Sequence, residues 1–269
     1  MRIIMQGVCT MQEQKIAKTI QSVHRALDIW EFLIDSGNGF TLSTIAEKCG
    51  LNKTTAFHLL KTLESRGYVE QSFDTQFYKI GWKSYEISTK IFDTGIFLQA
   101  GKPYLEQLSD EFNETSFLCQ YCKIDGHYES LCQYQIESSN PLHTIAPIGT
   151  RMPLHCTAAG KIYLTGLCED MFDKVFGEGA LIAFTENTIT DKSILHKQVS
   201  KIKKDGFCIE REEFQTGVCT IAVPVVKYTG RIIFSLVMSM PTQRATEERL
   251  AKMVEIMKPM AKSLSNLPL

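Results

Sequence analysis

The chain has no excess of charge of either sign: 29 Lys and Arg stand against 30 Asp and Glu in 269 residues. That balance excludes a globally basic surface of the kind that holds nucleic acid or anionic membrane by charge alone. Any footprint for a polyanion must be a local patch. Splitting the chain changes little, with nine Lys/Arg against eight Asp/Glu over residues 1–81 and twenty against twenty-two over 82–269. Long apolar runs are missing too. Nothing approaches the ~20 residues a membrane-spanning helix needs, so no membrane partner is expected. The opening MRIIMQGVCTM has one Arg and an apolar stretch broken by Gln6 and Gly7, which makes a poor secretory signal. Residues 1–19 are expected to be a flexible arm, with Met1, Met5 and Met11 equivalent candidates for the start.

A disulfide framework is also lacking. Nine cysteines, an odd number, are scattered without the density or spacing of one, and reduced thiols in a cytoplasmic protein are expected. Cys119 and Cys122 have CxxC spacing, but SFLCQYCKI alternates like a strand, which sends the two thiols to opposite faces. No second pair completes a zinc site, so neither metal nor cofactor is expected. Catalytic patterns are absent as well: no GxSxG, no HExxH and no defensible carboxylate pair. His155-Cys156 suggests a thiol nucleophile, yet neighbours on a strand point apart and no orienting partner is evident. AAGK resembles the end of a phosphate loop, but His155 stands where its first Gly is required. No enzymatic activity is expected.

What is present is the composition of an ordinary globular protein, 44% hydrophobic and 22% charged, with enough chain for two cores. SVHRALDIWEFLID places Val23, Ala26, Leu27, Trp30 and Leu33 at helical spacing, with Ser22 as N-cap and GNG (37–39) as the stop. A short helix follows Thr41 and ends at Gly50. A third begins at Asn52 and carries Ala56, Leu59, Leu60 and Leu63 as an i, i+3, i+4, i+7 stripe. Its opposite face comprises Thr54, His58, Lys61 and Ser65, flanked by Phe57 and Thr62. Between Asn52 and Leu63 there is no acidic residue to oppose a phosphate. GYVEQSFDTQFYKI then reads as two short strands around a turn at Asp74–Gln76.

Two short helices joined by a Gly-containing turn and followed by a hairpin make the winged helix-turn-helix plan. Its second helix must bury one face and free the other for the major groove. Pattern alone leaves open a helical hairpin whose polar face is merely solvated.

From Trp82 to about Thr115 the periodicity is helical but interrupted by Gly95, Gly101 and Pro103, which predicts a connecting helix, a joint and a second helix. Beyond it, Asp125-Gly126 and Thr229-Gly230 join paired strand patterns. Helices fit Ala158–Leu164, Lys192–Lys204 and Glu247–Ser263, the last with Pro259 inside. Hairpins with helices outside predict an antiparallel α+β domain.

SVHRALDIWEFL and TLSTIAEKCGLNKTTAFHLLKTLESRGYVEQ closely resemble the N-terminal domain of the IclR family of bacterial transcriptional regulators. GTRMPLHCTAAGKIYL, GFCIEREEFQTGVCTIAVPV and GRIIFSLVMSMPTQRATEERL resemble its effector domain. Coverage runs from about residue 20 to 265, with the motifs in one order. The resemblance implies a winged helix-turn-helix at 20–81, a linker helix at 82–98, and a GAF-like domain at 99–269, an antiparallel sheet with flanking helices. That last domain would bind a small organic-acid effector and assemble homodimers or homotetramers.

The implied partner is double-stranded operator DNA, probed by Asn52, Lys53, Thr54, Thr55, Phe57, His58, Lys61 and, at the wing tip, Gln76. The implied role is repression of a metabolic operon. The alternative is a metabolite-binding sensor or scaffold without DNA binding. Family members often have His-Arg where this chain has Phe57-His58. Base preference therefore does not carry over, since Arg reads guanine bidentately and His does not. The positions matching the effector site are Leu142, Ala158, Ala159, Gly160, Glu210, Val218, Thr220, Val237 and Ser239. Exposed amides at the start of the helix from Ala158 suit a carboxylate. Close packing of that helix against the sheet would equally explain its small residues. Glu210 would repel an organic acid unless it meets a hydroxyl or is itself protonated.

Overall fold

The computed structural model describes residues 2–4, 20–36, 39–94, 96–124, 127–177 and 180–267. They fall into two compact units, Gln12–Gly95, and Met1–Met11 with Ile96–Leu269. The division lies within the span 82–98 read as the linker. A short strand β1 (Arg2–Ile4) pairs in parallel with a strand of the second unit. The remainder of the arm, like the Asp125-Gly126 turn and Gly95, lies outside the described residues.

The first unit runs α1 (Gln21–Ser36), α2 (Leu42–Lys48), α3 (Lys53–Ser65), β2 (Val69–Gln71), β3 (Tyr78–Ile80) and α4 (Trp82–Thr94). Both short helices start where a side chain can satisfy an orphan amide. The Thr41 hydroxyl accepts from the Thr44 amide, and Asn52 Oδ1 accepts from the Thr55 amide at 2.8 Å. Gly50, at φ +62°, makes the left-handed turn between them. Ile29, Leu33, Ile45, Leu60, Val69 and Tyr78 form the core, and Phe40 bridges to Tyr78 beside the β2–β3 hairpin. The stripe read along α1 is buried only toward its C-terminal end, where Leu33 joins Ile29. Ile29 and Leu33 are buried, whereas Val23 and Leu27 are 53% and 45% exposed. The helix carries two apolar stripes, and only one meets α3.

The second unit comprises α5 (Ile96–Phe112), β4 (Thr115–Ile124), β5 (His127–Ile136), β6 (His143–Ile145), β7 (Arg151–Pro153), α6 (Ala158–Leu164), α7 (Glu169–Phe176), α8 (Lys192–Asp205), β8 (Cys208–Arg211), β9 (Val218–Val226), β10 (Ile232–Pro241) and α9 (Glu247–Ser265). Six strands form one antiparallel sheet in the order β7-β5-β4-β10-β9-β8. Gly101 and Pro103 lie inside α5 rather than breaking it. A Cβ on Gly101 would stand 2.3 Å from Leu118 Cδ1, so the glycine lets helix and sheet approach. The helices α7 and the strands β1, β6 and β7 carried no pattern strong enough to read.

Both sheet faces are covered, which is why β9 and β10 are nearly continuous apolar runs despite their antiparallel pairing. Leu118, Cys219, Ile221, Val223, Leu236 and Met238 pack with α5 and α9. Phe117, Cys119, Val218, Ala222 and Val237 face the other way, toward α6. Cys119 is buried and Cys122 half-buried, and all the described cysteines are free thiols.

Candidate functional site

On α3 the buried stripe leaves Asn52, Lys53, Thr54, Phe57, His58, Lys61 and Ser65 exposed, with Thr55 half-buried. The Asn52 cap fixes the first turn, so Lys53 and Thr54 project from a defined helix start. Phe57 and His58 lie edge to face at 5.7 Å, and Lys61 Nζ stands 5.8 Å from the Phe57 ring centre. Lys61 also donates to Glu64 Oε2 at 2.7 Å and to Gln71 Oε1 at 3.4 Å. Glu64 lies just past the acid-free window, so the sequence did not reveal this partner.

At the wing, Gln76 takes φ +57° and turns its side chain inward. Its Nε2 donates to the Phe73 carbonyl at 2.9 Å, while its Oε1 accepts from Gln71 Nε2 at 3.1 Å. Its amide group is therefore spent on holding the turn rather than projecting toward a phosphate. Residues 73–77 are all exposed, Phe73 at 92%.

The second site lies between α6 and the sheet. Pairing sets Glu210 opposite Thr220 and Thr220 opposite Ser239, with Val237 opposite Phe117 in the next row. Above these rows, Thr157 caps α6 by accepting from the Gly160 amide at 3.1 Å while donating to the Pro153 carbonyl at 2.6 Å. The result is a narrow cavity of about 10 Å³, lined by Phe117, Met152, Ala158, Ala159, Val218 and Val237, with Thr157, Glu210, Phe214, Gln215 and Thr220 completing the wall. Of the residues read from the sequence, Ala158, Ala159, Glu210, Val218, Thr220 and Val237 line it together.

The other three do not. The Gly160 amide is taken by Thr157, and a Cβ there would lie 2.3 Å from Leu154 Cα, so this glycine serves close helix packing. Leu142 lies outside the lining, its carbonyl accepting from Arg244 Nη2. Ser239 is buried in the same cross-strand row, its Oγ without a partner among the described residues. Phe117, Met152, Phe214 and Gln215 escaped sequence reasoning because strand register and loop packing bring them in, while Thr157 enters as the cap of α6.

Among the described residues no Lys, Arg or His lines the cavity. Lys161 is fully buried behind it and ion-paired with Glu213. Glu210 Oε1 accepts from the amides of Glu213 at 2.5 Å and Phe214 at 3.3 Å. Burial, opposed by those amides, pushes the Glu210 carboxyl up to about 7. His155 and Cys156 sit in the bend before α6 rather than on a strand. Burial lowers the His155 pKa and raises the Cys156 thiol, the opposite of an activated pair. No cluster of His, Cys, Asp or Glu among the described residues could hold a metal, and no described helix is long and apolar enough to cross a membrane.

Residues 22–72 match the IclR helix-turn-helix domain, and residues 93–266 match the bacterial transcriptional regulator IclR C-terminal domain. The chain belongs to the IclR family. It is thus a DNA-binding transcriptional regulator and not an enzyme. This IclR-family chain is 30% identical over 259 residues to the DNA-binding transcriptional repressor YiaJ of Escherichia coli (strain K12), covering 95% of this chain and 90% of that one. To the HTH-type transcriptional repressor AllR of Klebsiella pneumoniae it is 29% identical over 255 residues, covering 94% and 92%. The crystal structure of an IclR transcriptional regulator from Alicyclobacillus acidocaldarius shares the fold, with a TM-score of 0.78 at 22% identity over 92% of this chain and 98% of that one.

Proposed function

We propose that this IclR-family protein represses a metabolic operon in the cytoplasm and that a small organic acid, held in the cavity under α6, controls it. The observation that carries this reading is the cavity itself, small and mostly apolar, with Ala158 and Ala159 at the start of α6 and Glu210 in its wall. Such a chamber suits a small ligand with one polar end. Repression rests on the likeness to YiaJ and AllR. On the DNA side, Thr54, His58 and Lys61 would face the major groove, with Asn52, Lys53, Thr55 and Phe57 beside them. No phosphate contact is proposed from the Gln76 side chain.

The operator-binding form would be a homodimer at least, since one winged helix covers one half-site. Support comes from Ile20, just before α1, and Val23, Leu27 and Ile34 on it, which are exposed on one side, and from the exposed Trp82 and Tyr85 on α4. The ligand would then bias one of two spacings of the paired recognition helices through residues 82–98. A ten-fold change in operator affinity requires only about 1.4 kcal/mol of differential binding.

The test is a gel shift against fragmented genomic DNA, followed by transcription in vitro from the captured promoters. Specific fragments should be retained and their transcription lowered. Retention of no fragment would favour a sensor without DNA binding, and raised transcription would make the protein an activator.

A further inference from the structure

The cavity has a carboxyl in its wall and no cation to balance a second one. Lys161 is the nearest ammonium, and it is committed to Glu213 behind the wall. Glu210 itself is held asymmetrically. Oε1 receives two backbone amides, while Oε2 makes no hydrogen bond among the described residues. An oxygen that accepts two N–H groups is the poorer seat for a proton, so the proton belongs on Oε2, where it can be donated.

Resting on the organic-acid reading above, we propose that the cavity takes a small monocarboxylate as its anion and holds it through a hydrogen bond donated by Glu210 Oε2–H, so that binding takes up a proton whenever Glu210 is ionised beforehand. The proton comes from solvent, remains on Glu210, and leaves again with the ligand. A dicarboxylate or phosphate would bring a further charge with nothing in the wall to meet it, which excludes both classes.

The groups facing Glu210 agree with this assignment. They are Lys161 on α6, Glu213 in the turn after β8, Cys156 before α6, Cys208 on β8 and Cys219 on β9. The three thiols are pushed upward by burial and stay neutral. Lys161 and Glu213 cancel, so the cluster is neutral only while Glu210 carries its proton. A carboxyl near 7 is largely protonated at pH 6 and largely ionised at pH 8.

Calorimetric titration of the full chain, without DNA, tests this with benzoate and isobutyrate as probes and benzamide and isobutyramide as uncharged counterparts. Affinity for the acids should fall about ten-fold from pH 6 to pH 8, while the amides show no such fall. Glu210→Gln, whose amide still donates but does not titrate, should bind the acids without pH dependence. Acid affinity in the unaltered chain that is flat or rises with pH overturns the proposal. So does failure of both acids to bind at pH 6, or an undiminished pH dependence in Glu210→Gln. Proton-linked binding that leaves operator affinity unchanged would instead sink the control of DNA binding and leave this inference standing.

Discussion

Lys61 and Glu64 form an ion pair one turn apart on the exposed face of α3, with Nζ 2.7 Å from Oε2. If Lys61 meets DNA as proposed, Glu64 of its own helix competes with phosphate for it. Both groups are substantially exposed, so the pair contributes little to stability and is open to exchange. Lys61→Ala should weaken binding to all duplexes and reduce the salt slope by about one. Glu64→Gln should strengthen binding to all duplexes alike. Anisotropy titrations over a salt series read both, and a Glu64→Gln protein with weakened binding would mean that the pair orders the recognition surface instead.

His58 stands on the same face but pairs with no acid in the described structure. If it meets DNA as proposed, its ring would read a base edge rather than add bulk attraction. His58→Ala should relax selectivity at one base pair of the half-site while leaving the salt slope unchanged. Selection from a randomised duplex library measures this. An unchanged consensus would remove His58 from the reading surface.

Lys161 and Glu213 are a buried ion pair bridging α6 and the turn after β8, and Glu213 Oε2 is left without a partner among the described residues. Removing one member strands the other charge in the core. Glu213→Gln should cost about 3–5 kcal/mol in urea unfolding, whereas the double change Lys161→Met with Glu213→Leu should recover most of that. A single-site cost below about 1 kcal/mol would mean that solvent reaches Lys161.

How far the sequence discloses these features depends on the range of the interactions. The α3 face was legible because its 3.6-residue stripe and the Asn52 cap are local, and both are formed as expected. The α1 face was legible only in part: Leu33 is buried as its spacing suggested, but Val23 and Leu27 repeat as regularly and stay exposed, since only packing decides which positions are covered. The cavity row Glu210–Thr220 was suggested by the family resemblance, and strand register brings it together. Protonation of Glu210 could be raised from the sequence, but the burial that pushes its carboxyl up depends on packing that no local pattern shows. Gly160 had two readings, room for a ligand or close packing, and the near approach of the Leu154 backbone favours the second.

Ala158 has no exposed surface and lines the cavity at the start of α6. Ala158→Leu adds three carbons into that space, so the side chain should occupy the ligand's volume at a packing cost of about 1–3 kcal/mol. The variant should bind operator like the unaltered chain and no longer respond to the acid that releases it. A full response from Ala158→Leu would place the effector elsewhere.

Glu210 should also leave a signature in stability without any ligand. Its carboxyl titrates near 4.5 in a free chain and at about 7 when folded. Between those values the folded protein binds a proton that the unfolded chain has released, so stability falls as pH rises through the window and levels off above it. Glu210→Gln cannot titrate and still offers an oxygen to the Glu213 and Phe214 amides. Relative to that variant, the unaltered chain should lose up to roughly 3 kcal/mol between pH 4.5 and 7.5, with contributions from all other groups cancelling in the difference. Urea unfolding of both proteins at half-unit pH steps measures it. A difference that stays constant across the window would mean that Glu210 is solvated, and the proton could not then be held for a ligand.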